Sequence, residues 1–117
     1  MEQIRVLLVD DEEEFTSALA ERLNMRGIPT LTSSGGEEAL KMIEACHPHV
    51  VLLDMMMPGL GGKEIQARIR LNHPDISVIF LTGHGATEFG PECNDYLIKP
   101  VNIGELIRKI QSISKKD

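Results

Sequence analysis

VLLVDDEEE, residues 6–14, runs from four consecutive apolar residues straight into five acidic ones. An unbroken apolar run of four, closed by a polar residue, reads as a strand buried on both faces of a parallel sheet. The same pattern returns at VVLL (50–53) before Asp54, at VIFL (78–81) before Thr82, and at YLI (96–98) before Lys99-Pro100. Open α/β sheets bind their ligands outside the carboxyl ends of such strands. Asp10, Asp11, Asp54, Thr82 and Lys99 would then meet along one edge, bringing together three carboxylates, a hydroxyl and an ammonium. That set suits a divalent cation and a phosphoryl group.

Helical patterns fill the intervals. Phe15, Leu19 and Leu23, with Ala18, mark one face from about 13 to 26. Ala39, Leu40 and Ile43 mark a second helix, Ile65 and Ile69 a third, and Ile103, Leu106, Ile107 and Ile110 the last. Gly27 follows the first helix as a stop, and Glu12, Glu13 and Glu14 suit its first turn through the helix dipole. Strands alternating with helices imply a parallel sheet covered on both faces. The segment IPTLT (28–32) contains Pro29, which has no N–H for a ladder bond, and this places it on a sheet edge.

Composition narrows the class. A chain of 117 residues is near the usual size for one core, and the expectation is a single domain over 1–117. A net charge of −6 speaks against a bare nucleic-acid binder, which would carry a basic face. Cys46 and Cys93 lie far apart without metal-ligand spacing, so reduced cytosolic thiols are expected. No apolar stretch approaches the ~20 residues of a membrane span, and MEQIR leads into a strand without the pattern of a signal peptide.

VLLVDDEEE, VVLLDMMMPGLGG, VIFLTGH and DYLIKP resemble, in order, the signature blocks of the receiver domain of two-component response regulators. The resemblance extends from Ile4 to the last helix. It implies a five-stranded parallel sheet in the order 2-1-3-4-5, a flavodoxin-like doubly wound α/β fold. It also implies that Asp54 is the phosphoacceptor. A Mg²⁺ would be held by Asp11, Asp54 and the backbone carbonyl of Met56, with Asp10 in support, and oxygen ligands of this kind suit Mg²⁺. Thr82 and Lys99 would contact the phosphoryl oxygens, Tyr96 would be the switch aromatic, and the Lys99-Pro100 bond would be cis. Met56 and His84 would flank the phosphoryl group, Met56 hindering an attacking water and His84 either orienting one or facing solvent.

Each residue also has a plainer reading. Asp54 could simply end a strand and begin a turn, and DDEEE could be a helix N-cap with a charge-complemented first turn, Asp11 at the cap. Lys99 could be a solvated lysine, Thr82 a β-favouring residue, and Tyr96 a quiet edge-strand ring. The constellation favours the functional readings.

The mechanism implied is a switch and not metabolic catalysis. A histidine kinase or phosphotransfer protein presents a phosphohistidine, Asp54 takes the phosphoryl group, Thr82 and Lys99 move inward, and Tyr96 rotates behind them. A downstream output protein or domain reads the changed surface, without direct nucleic-acid or membrane contact by this domain, in the cytoplasm. Two other classes compete. A phosphorylation-independent interaction module would have no need of this residue set. An aspartate-nucleophile phosphatase would carry its nucleophile after the first strand, with a second Asp two residues on, whereas Asp10 and Asp11 are adjacent.

One region departs from the family. TGHGATEFGPECNDYLIK (82–99) is about a turn and a half of helix shorter than the usual receiver, and it contains Gly83, Gly85, Gly90 and Pro91. The expectation is a shortened or missing fourth helix, no dimer through that helix, and output through the strand edge near Tyr96, the last helix or the first. Nothing after the last helix resembles an output domain, which leaves a stand-alone receiver or an output domain beyond residue 117.

Overall fold

A computed structural model of the chain describes residues 4–55, 61–83 and 96–114. These form β1 (Val6–Val9), α1 (Glu13–Met25), β2 (Thr30–Ser33), α2 (Gly36–Cys46), β3 (Val50–Asp54), α3 (Gly62–Asn72), β4 (Ser77–Thr82), β5 (Tyr96–Ile98) and α4 (Ile103–Ser114). The strands make one parallel sheet in the order β2-β1-β3-β4-β5. This is the doubly wound order that the sequence implied. Asp54 and Thr82 are the last residues of their strands and do not lie beyond them, because each still takes part in the β3–β4 or β4–β5 ladder.

Strand alternation divides the core in two. Leu8, Leu52, Ile79, Leu81 and Leu97 pack with Leu19, Leu23, Leu106 and Ile110, so α1 and α4 cover one face. Leu7, Val9, Val51, Leu53 and Phe80 pack with Ala39, Ile43, Ile65 and Ile69, so α2 and α3 cover the other. β2 is an edge strand, as Pro29 requires. The proline sits just before it, and its carbonyl accepts the Val6 N–H at 2.9 Å.

The turn after α1 explains Gly27. The Ile28 N–H donates to Leu23 O and the Gly27 N–H to Asn24 O, each at 3.0 Å, which is the paired closure of a Schellman motif. It requires a left-handed residue, and Gly27 has φ 82°. Ile28 and Leu23 are both buried in the α1-side core. Among the described residues no helix is long and apolar enough to cross a membrane. The expectations for the helix between Gly83 and Tyr96, and for Met56, His84 and Cys93, fall outside the described residues.

Candidate functional site

Register brings the acidic residues together. Val9 pairs with Leu53, so one step on Asp10 and Asp54 stand side by side at the carboxyl ends of the two central strands. Both have the parity of Leu8 and Leu52, which puts them on the α1 side of the sheet, and Lys99 shares the parity of Leu97 on the same side. Asp10 is fully buried and Asp54 is 5 % exposed. Burying two carboxylates at the end of an apolar sheet is costly unless positive charge or donors answer them.

Part of the answer is local. Asp10 Oδ1 accepts the Glu12 N–H at 2.9 Å, where the chain turns from β1 into α1. Lys99 supplies the rest. Its Nζ lies 2.7 Å from Asp10 Oδ2, 2.8 Å from Glu12 Oε1 and 3.8 Å from Asp54 Oδ2. The ammonium also stands 4.7 Å from the centroid of the Phe15 ring, within cation–π range. Burial by itself would lower the Lys99 pKa, but the contacts with Asp10 and Glu12 and the charges of Asp10 and Asp54 outweigh it and hold it above 10.5. Asp10 Oδ2 is buried, and the group that meets it is the Lys99 ammonium at 2.7 Å.

The carboxylates of Asp10, Glu12 and Asp54 each offer an oxygen within 4.8 Å of the other two, and this is the group of ligand-type side chains among the described residues. Three clustered carboxylate oxygens that share a single ammonium fit a hard dication that takes oxygen ligands. Asp11 does not take the N-cap position that one reading of the sequence assigns to it. It is exposed and outside this group, and Glu12 rather than Asp11 is the N-cap residue of α1, with no side-chain capping bond. The chain leaves the sheet at Asp11, which turns that side chain outward, and Glu12 comes back toward Lys99. Glu12 went unrecognised because its acidity already had a use in the helix dipole.

Thr82 and Tyr96 occupy the other face. Thr82 is 1 % exposed and has the parity of Phe80, which pairs with Tyr96 across the β4–β5 ladder. Tyr96 packs, half-buried, against the α3-side core. The Lys99 N–H donates to Thr82 O at 2.7 Å, so the backbone carrying the ammonium is tied to the end of β4. The Lys99-Pro100 bond is cis. Gly62 opens α3 directly beneath Asp54: a Cβ there would stand 3.0 Å from Asp54 O and 3.1 Å from Met55 Cα. A side chain at Gly62 would force β3 and the start of α3 apart by a few tenths of an ångström.

An acidic pocket, a strand-end lysine and this sheet order define a signalling receiver domain. The family model of the response regulator receiver domain matches residues 6–111, and the chain belongs to that family. It is 36 % identical to the probable transcriptional regulator ycf27 of Cyanophora paradoxa, over 96 % of this chain and 48 % of the relative. It is 37 % identical to the transcriptional regulatory protein CpxR of Klebsiella pneumoniae, over 96 % of this chain and 50 % of the relative. The chain thus spans about half the length of these curated relatives. Among solved structures it resembles the Francisella response regulator 1452 receiver domain, with TM-score 0.87, 30 % identity, and coverage of 97 % and 98 % of the two chains. It also resembles the response regulator protein TrrA from Thermotoga maritima in complex with Mg(2+)-BeF, with TM-score 0.84, 32 % identity, and coverage of 95 % and 99 %.

Proposed function

We propose that this receiver accepts a phosphoryl group on Asp54 in a Mg²⁺-dependent reaction and thereby switches a protein-interaction surface. The observation that carries this is the placement of Asp54: a nearly buried carboxylate at a strand end, beside the fully buried Asp10 and 3.8 Å from the Lys99 ammonium. A carboxylate is a weak nucleophile toward a phosphorus ringed by negative oxygens, and becomes competent when charge is screened and approach is fixed. The neighbour TrrA, seen with Mg²⁺ and BeF, supports the cation.

Asp10 and Asp54 would hold the ion, with Glu12 close by; Asp11 and the Met56 carbonyl are ligands that the family pattern suggests. A bound Mg²⁺ would screen the carboxylates and draw charge from the phosphoryl oxygens. Asp54 contributes the attacking oxygen: its bond to phosphorus forms as the P–N bond of a donor phosphohistidine breaks, and the leaving imidazole takes up a proton from solvent. Lys99 and Thr82 then bind phosphoryl oxygens, and Tyr96, on the Thr82 side of the sheet, follows Thr82 inward. Met56, two residues after Asp54, would slow hydrolysis, and His84 would influence the approach of water. A cytoplasmic histidine kinase or phosphotransfer protein is the donor. The reader is an output protein, or an output domain like those of the transcriptional regulators to which the chain is similar over half their length. This domain itself contacts neither nucleic acid nor membrane.

The test is acetyl phosphate with Mg²⁺, read by intact mass. Wild type should gain one phosphoryl group and Asp54→Asn none. Undiminished labelling of Asp54→Asn would overturn the assignment, and no labelling of wild type by any donor would favour a phosphorylation-independent interaction module.

A further inference from the structure

The contacts of Lys99 are lopsided. Its ammonium is 2.7 Å from Asp10 Oδ2 and 2.8 Å from Glu12 Oε1, and lies over the Phe15 ring, but stands 3.8 Å from Asp54. In the unphosphorylated protein the charge rests on the start of α1. Its backbone is held in place by the Lys99 N–H bonded to Thr82 O at the end of β4. A swing of the flexible side chain is enough.

Asp10 cannot hold that charge throughout. Its Oδ1 is committed to the Glu12 N–H, and its Oδ2 has no donor other than the nearby ammonium. A dication drawn to Oδ2 repels an ammonium 2.7 Å from the same oxygen. Glu12 is then the remaining carboxylate at contact distance. It is well suited to this, since its backbone is held by the bond to Asp10 and by the Thr16 hydroxyl, which donates to Glu12 O at 3.1 Å, while its side chain makes no capping bond.

We infer that Glu12 is a positioning residue that, with the Phe15 ring, parks Lys99 on α1 in the cation-loaded, unphosphorylated protein, so that the ammonium reaches the phosphoryl group only by leaving this seat. The inference rests on Asp54 as the phosphoacceptor. The seat opposes the switched state. The Glu12 side chain is 63 % exposed, so the opposition is modest, about threefold, as for an exposed ion pair.

The experiment follows the Lys99 Cε–H signals by NMR, which the Phe15 ring displaces while the ammonium is parked. In Mg²⁺ alone, wild type and Glu13→Ala should keep the displaced signals and Glu12→Ala should lose them. Glu13→Ala removes the same charge from the same helix start without touching Lys99. Adding beryllofluoride should abolish the displacement in wild type, and Glu12→Ala should bind beryllofluoride about threefold more tightly than Glu13→Ala at saturating Mg²⁺. Signals unchanged in Glu12→Ala, or already lost from wild type on Mg²⁺ alone, overturn the seat. If Asp54→Asn is labelled by acetyl phosphate as fully as wild type, the phosphoacceptor reading falls instead, and the Mg²⁺ arm still decides the seat.

Discussion

The two ends of the same sheet are finished in opposite ways. At the amino end, polar groups meet backbone carbonyls and an imidazole nitrogen. The Arg5 N–H donates to His49 Nδ1 at 2.9 Å, its guanidinium donates to His47 O at 2.7 Å, and the Ser77 N–H donates to His49 O at 3.0 Å. At the carboxyl end, Asp10 and Asp54 are buried next to each other, Glu12 joins them, and one lysine faces all three. The amino end is closed by hydrogen bonds between neighbouring chain segments, part of them open to solvent. The carboxyl end keeps an excess of negative charge that a cation would relieve, and the proposed switch rests on that excess.

Cation addition tests that contrast most strongly. At a hundredfold excess over Kd, Mg²⁺ should stabilise wild type by about 2.7 kcal/mol, read as a rise in Tm. Asp10→Asn should lose most of the rise, whereas His49→Ala should keep all of it. Equal rises in the two variants would mean that the cation binds elsewhere.

Gly62→Ala comes next. The added methyl would press on Asp54 O and Met55 Cα, both backbone atoms with little room to yield. The expected cost is about 2 kcal/mol in denaturant unfolding, together with slower labelling by acetyl phosphate. Full stability and full labelling would show that α3 can shift away from the pocket.

His49→Ala should cost about 1 kcal/mol, the worth of one acceptor for the part-buried Arg5 N–H, and should leave labelling untouched. A change in labelling would link the two ends of the sheet.

The smallest effect concerns pH. Lys99 titrates above its ordinary 10.5 in the folded protein, so its contribution is complete below that value and fades as pH rises through the higher folded value. In chelator, wild type should exceed Lys99→Met in stability by about 1 kcal/mol at neutral pH, and the gap should close in the alkaline range above 10.5. A gap that holds constant to high pH would mean that Lys99 stabilises through its alkyl stem alone.

Much of this was readable along the chain, for local reasons. VLLV, VVLL and VIFL became strand cores because a parallel strand covered on both faces needs apolar side chains at every position, whereas YLI became the edge strand β5, buried only at Leu97 and exposed at Ile98. Pro29 marked an edge because it has no N–H to give, and Gly27 marked a helix end because the closing turn needs a positive φ. Asp10, Asp54 and Lys99 were legible for the same reason: each stands at or just past a strand end, and parallel strands bring their ends together. What the order of residues could not convey was which of five consecutive acidic residues face inward. Asp10, Asp11 and Glu12 are equivalent as text, and a charge pattern describes all three. Only the packed molecule separates them, because the chain turns from β1 into α1 at this point, sending Asp11 outward while Asp10 is buried and Glu12 meets an ammonium carried 87 residues further along the chain. The close approach of Gly62 to Asp54 was hidden likewise, since a contact between two elements depends on how they dock and leaves no trace in the propensity of either one.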